Sequence, residues 1–187
     1  MLTRQQYEAA VERSVQMLKQ AGIIITPEER ARLEVADFGL GELEQTGLEI
    51  ITYVSTERVC AKEIVMFPHQ SCPEHRHPNV GVRLGKEETF RCRWGTVYLF
   101  VPGTPAAQPA CRPPVGSEAY YTVHHEIFLR PGEQYTLVPD TLYWFQAGPE
   151  GAIVSEFSTR STDEEDVFTD PRIKRVPEVS RDGRSCN

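Results

Sequence analysis

Apolar residues recur along this chain with two different periods, and the change of period divides it. Tyr7, Val11, Val15 and Leu18 follow one another at helical spacing, behind a Thr3/Gln6 capping box and ahead of Gly22, which ends the pattern. A second helix start is written at Thr26-Pro27-Glu28-Glu29, where Thr26 caps, Pro27 suits the first turn and Glu29 closes the box; it is expected to stop before Gly39 and Gly41. The apolar stripe is a packing face. It places the two helices on the outside of a sheet or in a dimer contact.

From residue 47 the period shortens. Residues 47–54 and 60–67 are rich in Ile, Val, Tyr and Phe and are separated by the polar turn Ser55-Thr56-Glu57-Arg58. Residues 95–101, 119–129, 135–138 and 151–158 read as further strands, with Pro131-Gly132 as a turn. Between them, Pro102, Pro105, Pro109, Pro113 and Pro114 forbid both helix and interior strand, so residues 102–116 form a loop. Many short strands with frequent turns predict a mainly β chain, an antiparallel β-sandwich or jelly-roll barrel with the helices packed outside. No repeat or linker divides it, so residues 1–187 are read as a single domain: helices over 1–41, barrel over 47–160, and a C-terminal extension over 161–187.

Composition narrows the partners. Twenty basic against 27 acidic residues give a net charge of -7 with no basic block, which argues against nucleic acid and against an anionic membrane. Met1 to Glu12 is polar and helical in character, unlike a signal peptide, and no apolar run reaches spanning length. The five cysteines are odd in number and lack C-x-x-C spacing, which fits a reduced, cytoplasmic compartment.

The chemistry concentrates in residues 73–95. His75 and His77 are separated by one residue, so in a strand both imidazoles leave on one face, about 7 Å apart at the root. Lys86, Glu88, Phe90 and Cys92 then alternate with Glu87, Thr89, Arg91 and Arg93. The second set is wholly polar, so the first turns inward and carries Glu88 with it. Two imidazoles and a carboxylate suit Mn, Fe, Co, Ni or Zn with positions left open. The competing reading puts the histidines on a rim beside prolines and Glu88 in a surface salt bridge.

These residues also carry a resemblance. H-x-H followed by Glu88, six residues and Gly95 resembles the first metal motif of the cupin superfamily, and Pro131-Gly132 leading to residues 139–145 stands where the second is expected. The stretches CPEHRHP, GKEETFRC, WGTVYLF, HHEIFLRPGEQYT, WFQAG, VSEFST and FTDPRI resemble the small bacterial D-lyxose isomerases, cupin-fold sugar ketol-isomerases, over roughly residues 3 to 175. The resemblance implies a divalent metal, manganese first, held by His75, His77, Glu88 and a residue before W-F-Q-A-G. In the family that residue is histidine, and here it is Tyr143, which either binds as a phenolate or leaves the position to water.

Other positions stay open without the resemblance. Glu156 shares a face with Ala152 and Val154 and is either a strand-end carboxylate facing water or an inward, partly desolvated base; the resemblance places the catalytic glutamate there. Lys86, on the inward face of Glu88, is placed to stabilise negative charge or bind a sugar hydroxyl. Lys62, on the face of Ile64 and Met66, is either solvated or inward as a sugar ligand. Thr169-Asp170-Pro171-Arg172 resembles the family's closing motif, which implies that Asp170 and Arg172 bind hydroxyls over the barrel mouth. Asp163-Glu164-Glu165-Asp166 reads as a solvated loop, and Arg181 to Asn187 as a frayed end.

The implied activity interconverts D-lyxose and D-xylulose, and also D-mannose and D-fructose, through proton transfer or a metal-assisted hydride shift, in a homodimer. Two alternatives share the ligand pattern: a non-haem iron dioxygenase, and a sugar-binding cupin whose tyrosine has cost it the metal. No serine-hydrolase elbow, phosphate-binding glycine loop or redox cysteine pair competes.

Overall fold

The computed structural model describes residues 2–175. Helix α1 spans Arg4–Gln20 behind a complete Thr3/Gln6 capping box, and α2 spans Pro27–Ala31 behind a Thr26/Glu29 box. Nine strands follow: β1 Glu34–Ala36, β2 Leu48–Ser55, β3 Cys60–Met66, β4 Ser71–Arg76, β5 Glu88–Val101, β6 His125–Leu129, β7 Gln134–Leu137, β8 Tyr143–Ser158 and β9 Val167–Phe168. They form one curled antiparallel sheet in which β1-β2-β3-β8-β4-β9 are successive neighbours, and β5 pairs with β6, β7 and β8. This is a cupin fold, mainly β.

The register β3 makes with β8 sets which side chains meet inside: Lys62 lies opposite Glu156, Ile64 opposite Val154 and Met66 opposite Ala152. Those inward residues join Phe90, Cys92, Leu99, Tyr143 and Phe145 in the interior core. The alternate residues Val65 and Ile153 face outward and are covered by Val11, Met17 and Leu18 of α1. The sheet is therefore buried on both faces under α1, so Ile64, Val65 and Met66 of β3 form an unbroken apolar run.

Two long strands close the interior. β5 and β8 run antiparallel from Glu88↔Ser158 to Phe100↔Trp144, with irregularities between Cys92 and Trp94 and between Gly95 and Val97. Across this break the inward parity of β5 passes from Phe90 and Cys92 to Val97, Leu99 and Val101. Gly95 is required at the bend: its φ is +68°, and a Cβ there would stand 2.1 Å from the Gly151 carbonyl oxygen. This supplies a steric reason for the glycine of the first motif.

Three expectations need correction. The second helix does stop before Gly39, at Ala31, but the segment read as helical over 1–41 also holds a strand, Glu34–Ala36, on β2; its Val35 packs under α1 and its Ala36 in the interior, an alternation too short to read as a period. Of residues 119–129 only His125–Leu129 is strand. The Thr122 and Val123 amides instead donate to the buried Glu74 carboxylate, with Val123 at 3.0 Å, so they have no call on a ladder. The last barrel strand begins at Tyr143, well before residue 151. The proline-rich loop carries no helix or strand and is tied down by Ala106 N–H to His124 O at 3.0 Å and Gln146 Nε2 to Arg112 O at 3.0 Å.

Candidate active site

The strand alternation read from residues 86–93 holds. Lys86, Glu88, Phe90 and Cys92 are buried, whereas Glu87 and Arg93 are exposed. His75 at the end of β4 is paired with Tyr143 of β8, and His77 follows it inward. The two imidazole rings are 5.1 Å apart between centroids, edge to face.

Tyr143 and Glu88 belong to opposite ends of the β5–β8 pairing and meet across the interior, where the phenol donates to Glu88 Oε1. His77 Nε2 lies 3.1 Å from both that carboxylate oxygen and the phenol oxygen. The other carboxylate oxygen, Oε2, stands 2.9 Å from Lys86 Nζ. That contact is a charge pair, since Oε2 receives no hydrogen bond of acceptable geometry among the described residues. A buried carboxylate thus keeps lone pairs free beside two imidazoles, which fits a divalent cation. One ligand atom each from His75, His77 and Asp166 also falls within 4.8 Å of the others.

A second cluster adjoins the first. Lys86 Nζ donates to Glu156 Oε1 at 3.2 Å, and Lys62 Nζ lies 3.9 Å from the same oxygen. Glu156 is only 4 % exposed, so the inward reading of Glu156 and Lys62 is the one the fold adopts. Asp163 balances the lysines, accepting from Lys62 at 2.6 Å and lying 3.6 Å from Lys86. Arg175 reaches the same carboxylate at 2.9 Å and pairs with Glu34 on its other side.

These charges set one another's protonation. Burial alone would lower the Lys86 ammonium, but Glu156 and Glu88 hold it well above its ordinary value. Burial would raise Glu88, yet Lys86 and His77 keep it below the usual carboxylate range. Burial also opposes the charge on His77, and Glu88 and Asp166 overcome it, raising the ring to about 9. His75, buried and beside His77, is pushed down to about 4. The Tyr143 phenol is driven well above 10 by burial and by Glu88, so without a metal it stays protonated.

The C-terminal extension supplies what sequence reading left in solvent. Residues 163–165 form a single 3₁₀ turn, which sets Asp163 and Asp166 on one side, since positions three apart eclipse in that helix. Glu164 stays exposed and Glu165 pairs with Arg83. Phe168 of β9, opposite His75 in the register, stacks on its ring at 5.1 Å. Asp163, Asp166, Phe168 and Arg175 therefore line the cavity together with Lys62, His75, His77, Lys86, Tyr143 and Glu156. The D-x-x-D spacing was the available signal.

Asp170 and Arg172 are not brought to this cavity. Arg172 binds Asp170, donates to Ser117 Oγ at 3.0 Å and lies over the Tyr120 ring, fastening the extension to the 117–120 turn. His125 is spent on the Thr104 carbonyl at 2.9 Å. A larger surface groove between α1 and residues 41–45 includes Arg13, Glu42 and Glu44, and it is remote from the buried cluster. The expected fraying of 181–187, and Cys186, lie outside the described residues; the four described cysteines are free.

The fold and this interior cluster define a cupin with a buried histidine–carboxylate centre beside a lysine–glutamate pair. No protein-family profile matches the chain. Two relatives are the D-lyxose/D-mannose isomerase of Thermosediminibacter oceani, 63% identical, and the D-lyxose ketol-isomerase of Thermofilum sp., 62% identical, each match covering 96% of this chain and 99% of the relative. The D-lyxose ketol-isomerase of Cohnella laeviribosi is 58% identical over 95% of this chain and 97% of its own. The chain belongs to the D-lyxose ketol-isomerase family. Among solved structures, the L-ribose isomerase of Cellulomonas parahominis superposes with a TM-score of 0.76 at 16% identity, covering 91% of this chain and 94% of that one. That of Acinetobacter sp. DL28 does so with a TM-score of 0.76 at 17% identity, covering 92% and 94%. Both attest the fold.

Proposed function

We propose that the protein interconverts D-lyxose and D-xylulose, and D-mannose and D-fructose, by moving a proton between adjacent carbons. The observation that carries this is the position of Glu156, a buried carboxylate flanked by Lys86 at 3.2 Å and Lys62 at 3.9 Å beside two inward histidines and Glu88. Family membership supports an isomerase over an oxygenase or a non-catalytic sugar binder, since all three relatives are named isomerases.

His75, His77 and Glu88 would hold a divalent ion, with Tyr143 offering its oxygen at the fourth position, and such an ion polarises a carbonyl and stabilises an enediolate. Manganese is the ion the family resemblance favours, with cobalt, nickel, iron or zinc as substitutes. The protein's own groups do the rest. Glu156 takes the proton from C2 of the aldose as the carbon–carbon double bond forms and returns it to C1, while the proton of the 2-hydroxyl passes to O1, so that C2 becomes the carbonyl of the ketose. The Lys86 and Lys62 ammoniums hydrogen-bond the sugar oxygens and meet the negative charge that develops on them. Phe168, Phe38 and Phe90 offer an apolar wall to the carbon skeleton. Asp170 and Arg172 act at one remove, holding the segment that carries Phe168. A homodimer in the cytoplasm completes the proposal; free cysteines and the absence of a basic surface block are consistent with it.

The deciding experiment measures ketose formation from D-lyxose by metal-stripped protein before and after manganese is restored. Activity only with metal is expected. Folded protein inactive with every divalent ion would overturn the reading.

A further inference from the structure

His77 is gripped from both ends of its ring. Nδ1 faces Asp166 Oδ1 at 2.5 Å, while Nε2 faces Glu88 Oε1 and the Tyr143 hydroxyl at 3.1 Å each. His75 has the same arrangement with a different partner: its Nδ1 lies 2.8 Å from the Pro73 carbonyl oxygen. A carbonyl can only accept, so His75 carries its proton on Nδ1 and leaves Nε2 free. Both imidazoles then present the same nitrogen to the interior.

The two nitrogens of an imidazole point to opposite sides of the ring. An ion held on His77 Nε2 shares that side with Glu88 and Tyr143; Asp166 is on the other. We propose that Asp166 is the positioning residue of His77, accepting the Nδ1 proton so that Nε2 is committed to the metal. The inference rests on the metal-binding reading above, and it makes Asp166 a partner of a ligand instead of a ligand. A histidine ligand with its second nitrogen bonded to a carboxylate is more basic and fixed in rotation, and loss of such a partner lowers metal affinity about 10- to 100-fold.

Asp166 is held for this task. Its side chain is 4 % exposed, the next residue, Val167, pairs with Arg76 on β4, and Glu165 is anchored by Arg83. The same turn sends Asp163 to the lysines, which provides an internal control: a variant there perturbs the same segment without touching His77.

The test compares Asp166→Ala, Asp166→Asn and Asp163→Asn in the full-length, metal-stripped protein, with manganese affinity from calorimetric titration and the visible spectrum of the cobalt-loaded forms. Asparagine keeps an oxygen that accepts from Nδ1, so Asp166→Asn should lose at most about 5-fold in affinity, and Asp166→Ala about 10- to 100-fold. Asp163→Asn should stay within about twofold, and the cobalt spectrum at saturation should be alike in all four proteins. An Asp166→Asn loss as large as that of alanine, with an altered cobalt spectrum, would make Asp166 a direct ligand and overturn the inference. Wild-type affinity in Asp166→Ala would overturn it too, leaving the metal reading intact. A wild-type protein that takes up no divalent ion would overturn both.

Discussion

Tyr143 donates its phenolic proton to Glu88, a partner 55 residues away in sequence, in the fully buried centre of the barrel. The bond ties β8 to the start of β5 and gives the carboxylate a neutral partner. Tyr143→Phe should destabilise the metal-free protein by about 1.5–3 kcal/mol, the range for a hydrogen bond to a charged group, as measured by urea unfolding. Tyr143→His places a nitrogen where the resembled isomerases carry one. Its manganese affinity should rise at least about tenfold; an unchanged affinity would show that the fourth position does not contribute to binding.

Glu156→Gln keeps the shape and the hydrogen-bonding reach of the side chain while removing its basicity. Turnover should fall by about 10²- to 10⁴-fold, the usual contribution of a positioned base. Metal content, determined on the same preparation, should stay at the wild-type level. Full activity would remove Glu156 from the mechanism.

Lys86 separates Glu88 from Glu156, 2.9 Å from the one and 3.2 Å from the other. Lys86→Met leaves two buried carboxylates without their nearest cation, and removing one partner of a buried pair costs about 3–5 kcal/mol. Chemical denaturation should show a loss of that order. Lys62→Met should cost less, because its shortest contact is to Asp163, which Arg175 also neutralises.

His77 gives the metal-free protein a pH dependence of definite sign. Its pKa rises from 6.5 to about 9 on folding, so the folded state binds the proton more tightly. The stabilisation is complete below about pH 6.5 and fades as the pH rises through about 9, amounting to roughly 3 kcal/mol at most. Unfolding free energies of metal-free wild type should therefore decline relative to His77→Gln between pH 6.5 and 9. A metal bound at Nε2 displaces that proton, so manganese affinity should climb over the same interval.

Much of the site was legible in the sequence because a strand enforces a period of two. Glu88 could be chosen over Glu87 from the polarity of Arg91 and Arg93, whereas the alternation with Ala152 and Val154 left Glu156 open between water and the interior, and only the family resemblance singled it out. Asp163 and Asp166 escaped because a run of four acids reads as solvated charge. They are drawn inward by ionic partners from residues 62, 77, 86 and 175, and no local pattern announces a partner a hundred residues away. β1 escaped for a different reason: three residues carry too little alternation to register. Asp170 and Arg172 lay in a recognisable motif, but a motif gives position along the chain and leaves open whether a side chain faces the cavity or its support.

The pairing of β9 with β4 gives the centre a place in time during synthesis. Lys62, His75, His77 and Lys86 leave the ribosome early, whereas the carboxylates that neutralise or orient them, Glu156, Asp163 and Asp166, emerge about 70 to 100 residues later. Until then Lys86 has only Glu88 beside it, Lys62 lacks its shortest carboxylate contact and the His77 imidazole lacks Asp166. The centre is therefore complete only once residue 168 has been made and β9 has paired with β4.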